Sequence, residues 1–271
     1  MADLTPYINP LKYQLDHALV EEKPRTYLGF SSLGDPCRKK LWLGWRWASK
    51  KIINRRLQRL FARGHAEEEI IIQNLATAGV QVTDRQDEMV HTLLGKHCMG
   101  HSDGTAHNVP QAPKTPHLFE AKTMADKYFN ALVEKGLRMS DPKYYGQINL
   151  YMRYKGLTRT LFVATNKNND KREYLRIPYD EEEGLDLHRK ATDIVTSELP
   201  PRGISLDPAW HECRWCQQRK VCHGMSPPQV NCRTCAHSVV ADDGVWECAM
   251  TDKELSEDEQ HAACGQYKRL F

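Results

Sequence analysis

The cysteines of this 271-residue chain constrain its fold more than any other feature. Three lie close together as Cys213, Cys216 and Cys222, and four more follow between residues 232 and 264. The chain does not start with a basic head and an apolar run, so we expect no secretion signal. In a reducing compartment, closely spaced thiols bind metals rather than form disulfides. The spacing therefore predicts that metal holds the C-terminal part of the chain together.

The composition is typical of a globular protein. Hydrophobic residues make up 40% and charged residues 27%, which leaves little room for extensive disorder. No apolar run approaches the length of a membrane span, so we expect no membrane partner and take the cytoplasm, or a host cytoplasm, as the default compartment. The net charge is only +3, so a surface that binds nucleic acid has to be local.

Hydrophobic periodicity divides the chain into four regions. Residues 1–79 are predicted to form a helical N-terminal region, with a long helix pattern from Lys50 through Leu75. Residues 80–206 alternate between strand and helix patterns, which predicts an α/β core. A cysteine segment at 207–224 and a metal-bound module at 225–271 follow. In the core, strands are predicted at 80–83, 88–94, 98–107, 161–165 and 173–178, with one more beginning at 118–119, and helices at 125–137, 144–154 and 180–198.

The stretch from Lys50 to Arg63 is a candidate contact for DNA. It holds six basic residues and no acidic one. On a helix its apolar residues would share one face, which leaves Arg55, Arg56 and Arg59 pointing toward solvent or phosphate. A solvated helix face explains the same charge pattern without any ligand.

Asp103, Glu120 and Lys122 form the most informative polar pattern. The period of a strand places Glu120 and Lys122 on one face, and Asp103 from a neighbouring strand can meet Glu120 around one divalent cation. Hard oxygen ligands suit Mg²⁺ or Mn²⁺. Such a cation polarises a phosphoryl oxygen and activates water, while a lysine orients that water and stabilises developing negative charge. The pattern predicts phosphodiester cleavage. An exposed hairpin that carries an ion pair is the structural alternative.

Two more motifs flank this group. Upstream, residues 63–65 with Glu69 place a histidine, His65, in the long helix pattern. Downstream, Gln147 and Tyr151 are four residues apart, so on a helix they share a face. A lone helical histidine or a lone Gln-x-x-x-Tyr is common in ordinary helices, but the order of all these motifs is much harder to produce by chance.

In this order the motifs resemble those of the PD-(D/E)XK nuclease superfamily, specifically the branch of the RecB and AddB nuclease domains and the CRISPR-associated nucleases that trim new spacers. The resemblance implies a restriction-endonuclease-like fold, with a central mixed sheet flanked by helices. It also implies that His65, Asp103, Glu120 and the carbonyl of Ala121 are the ligands of the divalent cation. The Gln-x-x-x-Tyr helix of the family contacts substrate or positions the lysine. Ser102 stands where the family has a proline, a position that does not bind metal.

The C-x2-C-x5-C spacing of Cys213, Cys216 and Cys222 lacks a fourth ligand nearby, and Cys37 is the candidate. Four thiolates suit either Zn²⁺ or an iron–sulfur cluster. The alternative is that these cysteines are buried free thiols that bind no metal. An iron–sulfur subgroup of the same nuclease branch has one cysteine before its core and three after it. The resemblance therefore implies a structural [4Fe–4S] cluster that ties the two ends of the core together. Cys98 is expected to be a small core residue.

The tail carries a second group of four cysteines, Cys232, Cys235, Cys248 and Cys264. Their spacing is typical of a zinc site with four cysteine ligands. Three histidines are close enough in sequence to be alternative ligands: His223, His237 and His261. Similar tails occur on phage-encoded members of the nuclease group, which points to a phage or prophage origin.

The sequence therefore predicts a metal-dependent deoxyribonuclease, acting as an exonuclease on single-stranded or frayed DNA ends. Recombination, repair or phage DNA metabolism would be its setting, with recombination or replication proteins as candidate partners. The main alternative is a non-catalytic iron–sulfur protein on the same fold that binds DNA or senses redox state. A zinc-binding adaptor whose function lies in the tail is a third hypothesis. The intact Asp, Glu and Lys favour the enzyme.

Overall fold

The computed structural model describes residues 10–16 and 18–271. Its strands, in chain order, are β1 (Leu19–Glu22), β2 (Leu28–Gly29), β3 (Lys51–Asn54), β4 (Gln81–Thr83), β5 (Asp87–His91), β6 (Gly95–Ser102), β7 (Gly104–His107), β8 (His117–Met124), β9 (Arg159–Asn166), β10 (Arg172–Pro178), β11 (Ser238–Val240), β12 (Trp246–Cys248) and β13 (Lys253–Glu254). Its helices are α1 (Pro10–Asp16), α2 (Arg38–Trp45), α3 (Arg55–Thr77), α4 (Asp126–Ser140), α5 (Pro142–Lys155), α6 (Glu181–Val195), α7 (Arg219–Cys222) and α8 (Glu257–Ala262). Among the helices of these two ranges, none is both long and apolar enough to cross a membrane.

A five-stranded mixed sheet lies at the centre, in the order β10-β9-β8-β7-β4. Strands β8 and β9 run parallel, and the other neighbours pair antiparallel. Alternate residues of β8 point to opposite faces: Leu118 packs in a core with Leu132 of α4 and Ile148 of α5, whereas Phe119 packs with Ile71 of α3. Helices therefore cover both faces of the sheet. This topology confirms the predicted fold class, a restriction-endonuclease-like α/β core with a central mixed sheet flanked by helices.

A second sheet of three strands, in the order β2-β6-β5, continues from the first. The pattern at 98–107 predicts one strand, but the structure divides it into β6 and β7, which belong to different sheets. Asp103 is the single residue between them. Gly104 allows the change of direction, because a Cβ there would lie 2.7 Å from Val82 Cγ1 and 2.8 Å from the carbonyl oxygen of Thr83. The division fixes Asp103 at the boundary of the two sheets.

The helical N-terminal region also contains strands that the sequence pattern does not predict. The predicted helix start at Lys50 is wrong, since Lys51–Asn54 forms β3, which pairs with β1, and α3 begins at Arg55. Two consecutive β-branched residues, Ile52 and Ile53, favour the strand. The side chain of Asn54 then caps α3 by accepting a hydrogen bond from the Leu57 amide at 2.9 Å.

The C-terminal tail packs against the end of α2. Its three-stranded sheet, β11-β12-β13, contributes Trp246, whose ring lies 4.9 Å from that of Trp45. The guanidinium of Arg233 lies 3.7 Å from the centre of the Trp47 ring and donates hydrogen bonds to the carbonyls of Thr26 and Trp45. The tail therefore shares a core with the N-terminal region.

Candidate active site

Strand β8 carries Glu120 and Lys122 on one face, as the alternation of a strand requires. The ammonium of Lys122 donates hydrogen bonds to Glu120 Oε1 and, at 3.2 Å, to the carbonyl of Ala121, and lies 3.8 Å from Asp103 Oδ2. The amide of Ala121 donates to the same Asp103 oxygen at 3.0 Å. The structure thus brings together the Asp, the Glu-x-Lys and the intervening carbonyl in one cluster.

Glu120 is the most buried member of this cluster, with 0% of its surface exposed. Gln147 donates to Glu120 Oε1 at 2.7 Å, but Glu120 Oε2 is buried without a hydrogen-bond partner among the described residues. Burial, reinforced by the negative charge of Asp103, raises the pKa of Glu120 to about 8. Burial alone would lower the pKa of Lys122, but the charges of Glu120 and Asp103 outweigh it and the pKa is raised. The cluster therefore stabilises the positive charge of Lys122 and leaves one oxygen of Glu120 without a partner among the described residues.

Helix α3 supplies two further groups to the same cleft. His65 lines it from an exposed position, and Glu68, one turn further along, is buried. Burial and the charge of Asp103 raise the pKa of Glu68, while Lys122 and His65 oppose the shift, so Glu68 lies within electrostatic range of the cluster. The sequence motif included Glu69 instead. Glu69 pairs with Arg85 at the surface.

The distinction between the two glutamates follows from helix geometry. Counted from His65, Glu68 is at i+3 and Glu69 at i+4, and both spacings lie on the histidine side of a helix. The sheet decides between them, because the buried side of α3 is the one that packs on it. The apolar residues Ile71 and Leu75 are buried on that side, and Ile71 is three residues beyond Glu68. Extending the apolar stripe back by one turn would have found Glu68.

Helix α5 supports the cluster from behind. Gln147 and Tyr151 share one face, as predicted, and both are buried. Burial and the charge of Glu120 raise the pKa of Tyr151, which keeps its phenol protonated next to the carboxylates. Tyr144, on the same helix, was not predicted: its ring centre lies 5.4 Å from Lys122 Nζ, an arrangement in which the ring face attracts the cation.

The cleft in front of the cluster has a volume of about 620 Å³. The predicted contacts Arg55, Arg56 and Arg59 lie at the surface, but they do not line it, and Arg59 is held by Asp16 and the carbonyl of Leu15 in α1. The side of α3 that faces the cleft instead carries Leu57 and Leu60. Besides Lys122, the basic residues that line it are Arg25, Lys51, Arg63 and Lys167.

The first cysteine group comes together across the whole core. Cys37 caps α2, its sulfur accepting from the amide of Lys40 at 3.4 Å. Burial raises the pKa of Cys213, Cys216 and Cys222, and Cys37 adds to the shift of each. Cys37 and the three cysteines of the later segment, far apart in sequence, are therefore neighbours in the fold.

The second group lies around one small cavity of about 60 Å³, lined by Cys232, Cys235, Cys248 and Cys264. Burial, followed by the charges of the other three cysteines, raises the pKa of Cys232 to about 11. Of the alternative ligands, His237 also lines this cavity. His261 instead stacks on Trp47 with ring centres 4.0 Å apart, and His223 ends α7 beside the first group. Cys98 is fully buried in β6.

None of these groups forms a finished metal site. Within residues 10–16 and 18–271, no three or more His, Cys, Asp or Glu side chains are arranged so that they could hold a metal ion. In the carboxylate cluster, the ammonium of Lys122 lies between Asp103 and Glu120, where it contacts the oxygens that a cation would need.

No family model matches this chain, and no curated protein matches it. Among solved structures it is similar to the alkaline exonuclease LHK-Exo of Laribacter hongkongensis, with 16% identity and a TM-score of 0.46 over 64% of this chain and 87% of that one. The same enzyme in complex with dAMP gives 16% identity and a TM-score of 0.45 over 63% and 86%. The protein SSO0001 gives 14% identity and a TM-score of 0.45 over 75% and 88%. Similarity this low carries neither a family nor an activity to the present chain.

Proposed function

We propose that this protein is a metal-dependent deoxyribonuclease that hydrolyses phosphodiester bonds at the cluster of Asp103, Glu120 and Lys122. One observation carries the proposal. A fully buried carboxylate, Glu120, keeps one oxygen without a partner while its other oxygen and Asp103 face an ammonium at the floor of an open cleft. Burying such a group is costly unless a cation completes it, so the arrangement favours a binding site over a structural ion pair.

Asp103, Glu120 and the carbonyl of Ala121 would hold a divalent cation, Mg²⁺ or Mn²⁺, with His65 as a further ligand from α3. Their donor chemistry fits, and Lys122 Nζ marks the point at which the oxygens converge: it contacts Glu120 and Ala121 and lies 3.8 Å from Asp103, and a cation would have to displace it. Carboxylate and carbonyl oxygens are the ligands these ions prefer. When bound, the cation supplies Lewis acidity at the phosphoryl group and toward the attacking water.

The chain's own residues supply the rest of the reaction. In hydrolysis the water oxygen bonds to phosphorus, the ester P–O bond breaks, and the leaving oxygen takes up a proton. Lys122, with its carboxylate partners neutralised, would orient the water and stabilise the negative charge that develops on the phosphoryl oxygens. Gln147 fixes the Glu120 carboxylate through its 2.7 Å hydrogen bond. The basic side chains Arg63 and Lys167 at the cleft suit the phosphates of a DNA strand.

The two cysteine groups are proposed as structural cofactor sites. Cys37, Cys213, Cys216 and Cys222 would hold a [4Fe–4S] cluster, for which the support is that their thiols are neighbours across the core. The tail cysteines would hold Zn²⁺, for which the support is that all four line one small cavity. Four thiolates suit either an iron–sulfur cluster or Zn²⁺. Metal analysis therefore tests the assignment of iron to the Cys37 group and of zinc to the tail.

The test is a cleavage assay of the purified full chain on end-labelled single- and double-stranded DNA, with Mg²⁺, Mn²⁺ or EDTA, alongside iron and zinc quantification. We expect metal-dependent cleavage that Glu120→Gln reduces by about 10²-fold or more, since the variant removes a charge and keeps the shape. Glu134→Gln, an exposed position on α4, is the matched control and should cleave like the wild type. Intact DNA in every metal, with a folded and metal-loaded protein, would leave the non-catalytic DNA-binding alternative.

A further inference from the structure

A second cavity continues the active-site cleft toward the cysteine segment. It has a volume of about 480 Å³, and Arg25 and Lys51 line both it and the cleft. Its far wall is formed by residues 215–218, between Cys213 and α7. A strand that leaves the carboxylate cluster past Arg25 and Lys51 would therefore enter this cavity.

The cavity is aromatic. Trp215 lines it with 84% of its surface exposed, an unusual position for the largest side chain. Tyr27 lines it as well, and the guanidinium of Arg25 lies 5.9 Å from the centre of the Tyr27 ring. Trp210, in the same segment, is also exposed but does not line the cavity. The position of Trp215, rather than its exposure alone, sets it apart.

The charges differ between the two spaces. The cleft is lined by Glu22, Glu67, Glu68 and Asp103 as well as by basic residues. The described residues that line the second cavity include Arg25, Lys40 and Lys51 and no carboxylate. Lys51 is paired with Glu22, and Lys40 is paired with Asp35. Of the three basic residues, Arg25 is therefore the one whose charge is least neutralised by a carboxylate. Basic groups beside exposed aromatic rings are the features that bind unpaired nucleic acid.

We propose that this cavity is a nucleobase subsite for a single-stranded DNA substrate, with Trp215 and Tyr27 as stacking surfaces and Arg25 and Lys51 as phosphate contacts on the way to the cleft. The proposal rests on the nuclease function proposed above and names the strand that the same site takes. Bases within a duplex are already stacked on one another and cannot stack on Trp215, so the subsite selects unpaired strands. Every base has a flat face, so little dependence on base sequence follows.

The experiment measures, by fluorescence anisotropy, the binding of fluorescein-labelled thymidylate strands to the full chain loaded with iron and zinc. Mg²⁺ and Mn²⁺ are left out so that the strands stay intact. We expect Trp215→Ala to raise the Kd for a strand of about twelve nucleotides roughly tenfold, and to change the Kd for a dinucleotide much less. Trp215→Phe, which keeps a stacking face, should recover most of the loss. Trp210→Ala is the matched control and should bind both strands like the wild type.

Iron content and visible absorbance are measured on each variant, since Trp215 stands between two proposed cluster cysteines. If Trp215→Ala loses iron, Tyr27→Ala, which lies outside the cysteine segment, takes its place and should show the same dependence on strand length. Unchanged binding of the long strand in both variants overturns the subsite, and so does an equal loss with duplex. Wild-type protein that binds the strand through Trp215 but cuts no DNA supports the subsite and overturns the nuclease. Cleavage with unchanged strand affinity in the variants does the reverse.

Discussion

Two of the regions in which this protein buries charge differ in the groups that satisfy that charge. At the floor of the cleft, Glu120 and Lys122 bond to each other, and one oxygen of Glu120 is left over. At the joint between the tail and α2, Arg233 is 1% exposed and donates to the carbonyls of Thr26 and Trp45 and to Gln260 Oε1. At the tail joint, Arg233 is satisfied by neutral oxygens and ring faces. At the cleft, Glu120 Oε2 has no partner among the described residues.

The pKa values follow the same division. Burial lowers the pKa of Arg233 to about 9 and that of Arg46 to about 10, yet the carbonyl of Trp45, at the C-terminal end of α2, accepts from Arg233 where the helix dipole favours positive charge. Arg46 in turn donates through Nη1 to the carbonyl of Arg233 at 3.0 Å, while its Nε has no partner among the described residues. A buried charge whose donors are used by fixed neutral groups supports the fold, whereas one with an unused acceptor supports chemistry.

Lys122→Met tests whether the buried ion pair at the cleft takes part in the reaction. If the ammonium acts on the reaction, DNA cleavage with Mn²⁺ should fall by about 10³-fold. The melting temperature should change little, because a protonated Glu120 needs no cation beside it. Lys135→Met, on the exposed side of α4, should cleave and melt like the wild type. A stable variant that cleaves normally would make the Glu120–Lys122 pair structural.

The converse change is Arg233→Met. It leaves the carbonyls of Thr26 and Trp45 without their donor, and we expect the free energy of unfolding in urea to fall by about 3 kcal/mol. Specific activity of the protein that remains folded should be unchanged, because Arg233 is not among the residues that line the cleft. Arg189→Met, at an exposed ion pair with Asp186, is the control and should cost less than about 0.5 kcal/mol.

The raised pKa of Glu120 predicts how metal binding depends on pH. Below its pKa of about 8 the carboxylate holds a proton that a divalent cation has to displace. Affinity for Mn²⁺ should therefore rise about tenfold per pH unit up to that value and level off above it. Titration calorimetry in buffers of different ionisation heat measures both the affinity and the released proton. Affinity that is flat on the acid side would show that Glu120 is not a ligand, and Glu120→Gln should abolish the dependence.

Substitutions of the adjacent residues Glu68 and Glu69 should differ in their effect on Mn²⁺ binding. Glu68→Gln removes the buried carboxylate that lies within range of Asp103, and we expect about tenfold weaker Mn²⁺ binding. Glu69→Gln removes the shorter ion pair of Arg85, which also lies 3.8 Å from Glu68, and should leave Mn²⁺ binding unchanged. If both variants behave alike, α3 contributes to the cleft by shape and not by charge.

Much of this arrangement follows from local pattern. The strand period in residues 118–122 is enough to put Glu120 and Lys122 on one face, and the four-residue spacing of Gln147 and Tyr151 is enough to put both behind it. Those are short-range regularities that backbone geometry enforces. The predicted helix at 144–154 corresponds to α5 for the same reason.

What could not be predicted depends on contacts between distant segments. Ile52 and Ile53 give only a local preference for a strand, and that strand forms because β1 is there to pair with it. Glu68 and Glu69 are equivalent until the sheet covers one side of their helix. The aromatic cavity is likewise invisible in sequence, since Tyr27 and Trp215 meet only through the fold.

The position of Asp103 between two sheets limits how this protein could tolerate changes of length. Because a single residue links β6 to β7, an insertion there would turn the carboxylate away from Glu120 or slip one sheet against the other by a residue. The loop of residues 108–116 joins the antiparallel neighbours β7 and β8 at the other end of β7 and has no such constraint. Relatives of this chain should therefore differ in length after β7 and keep the turn before it fixed.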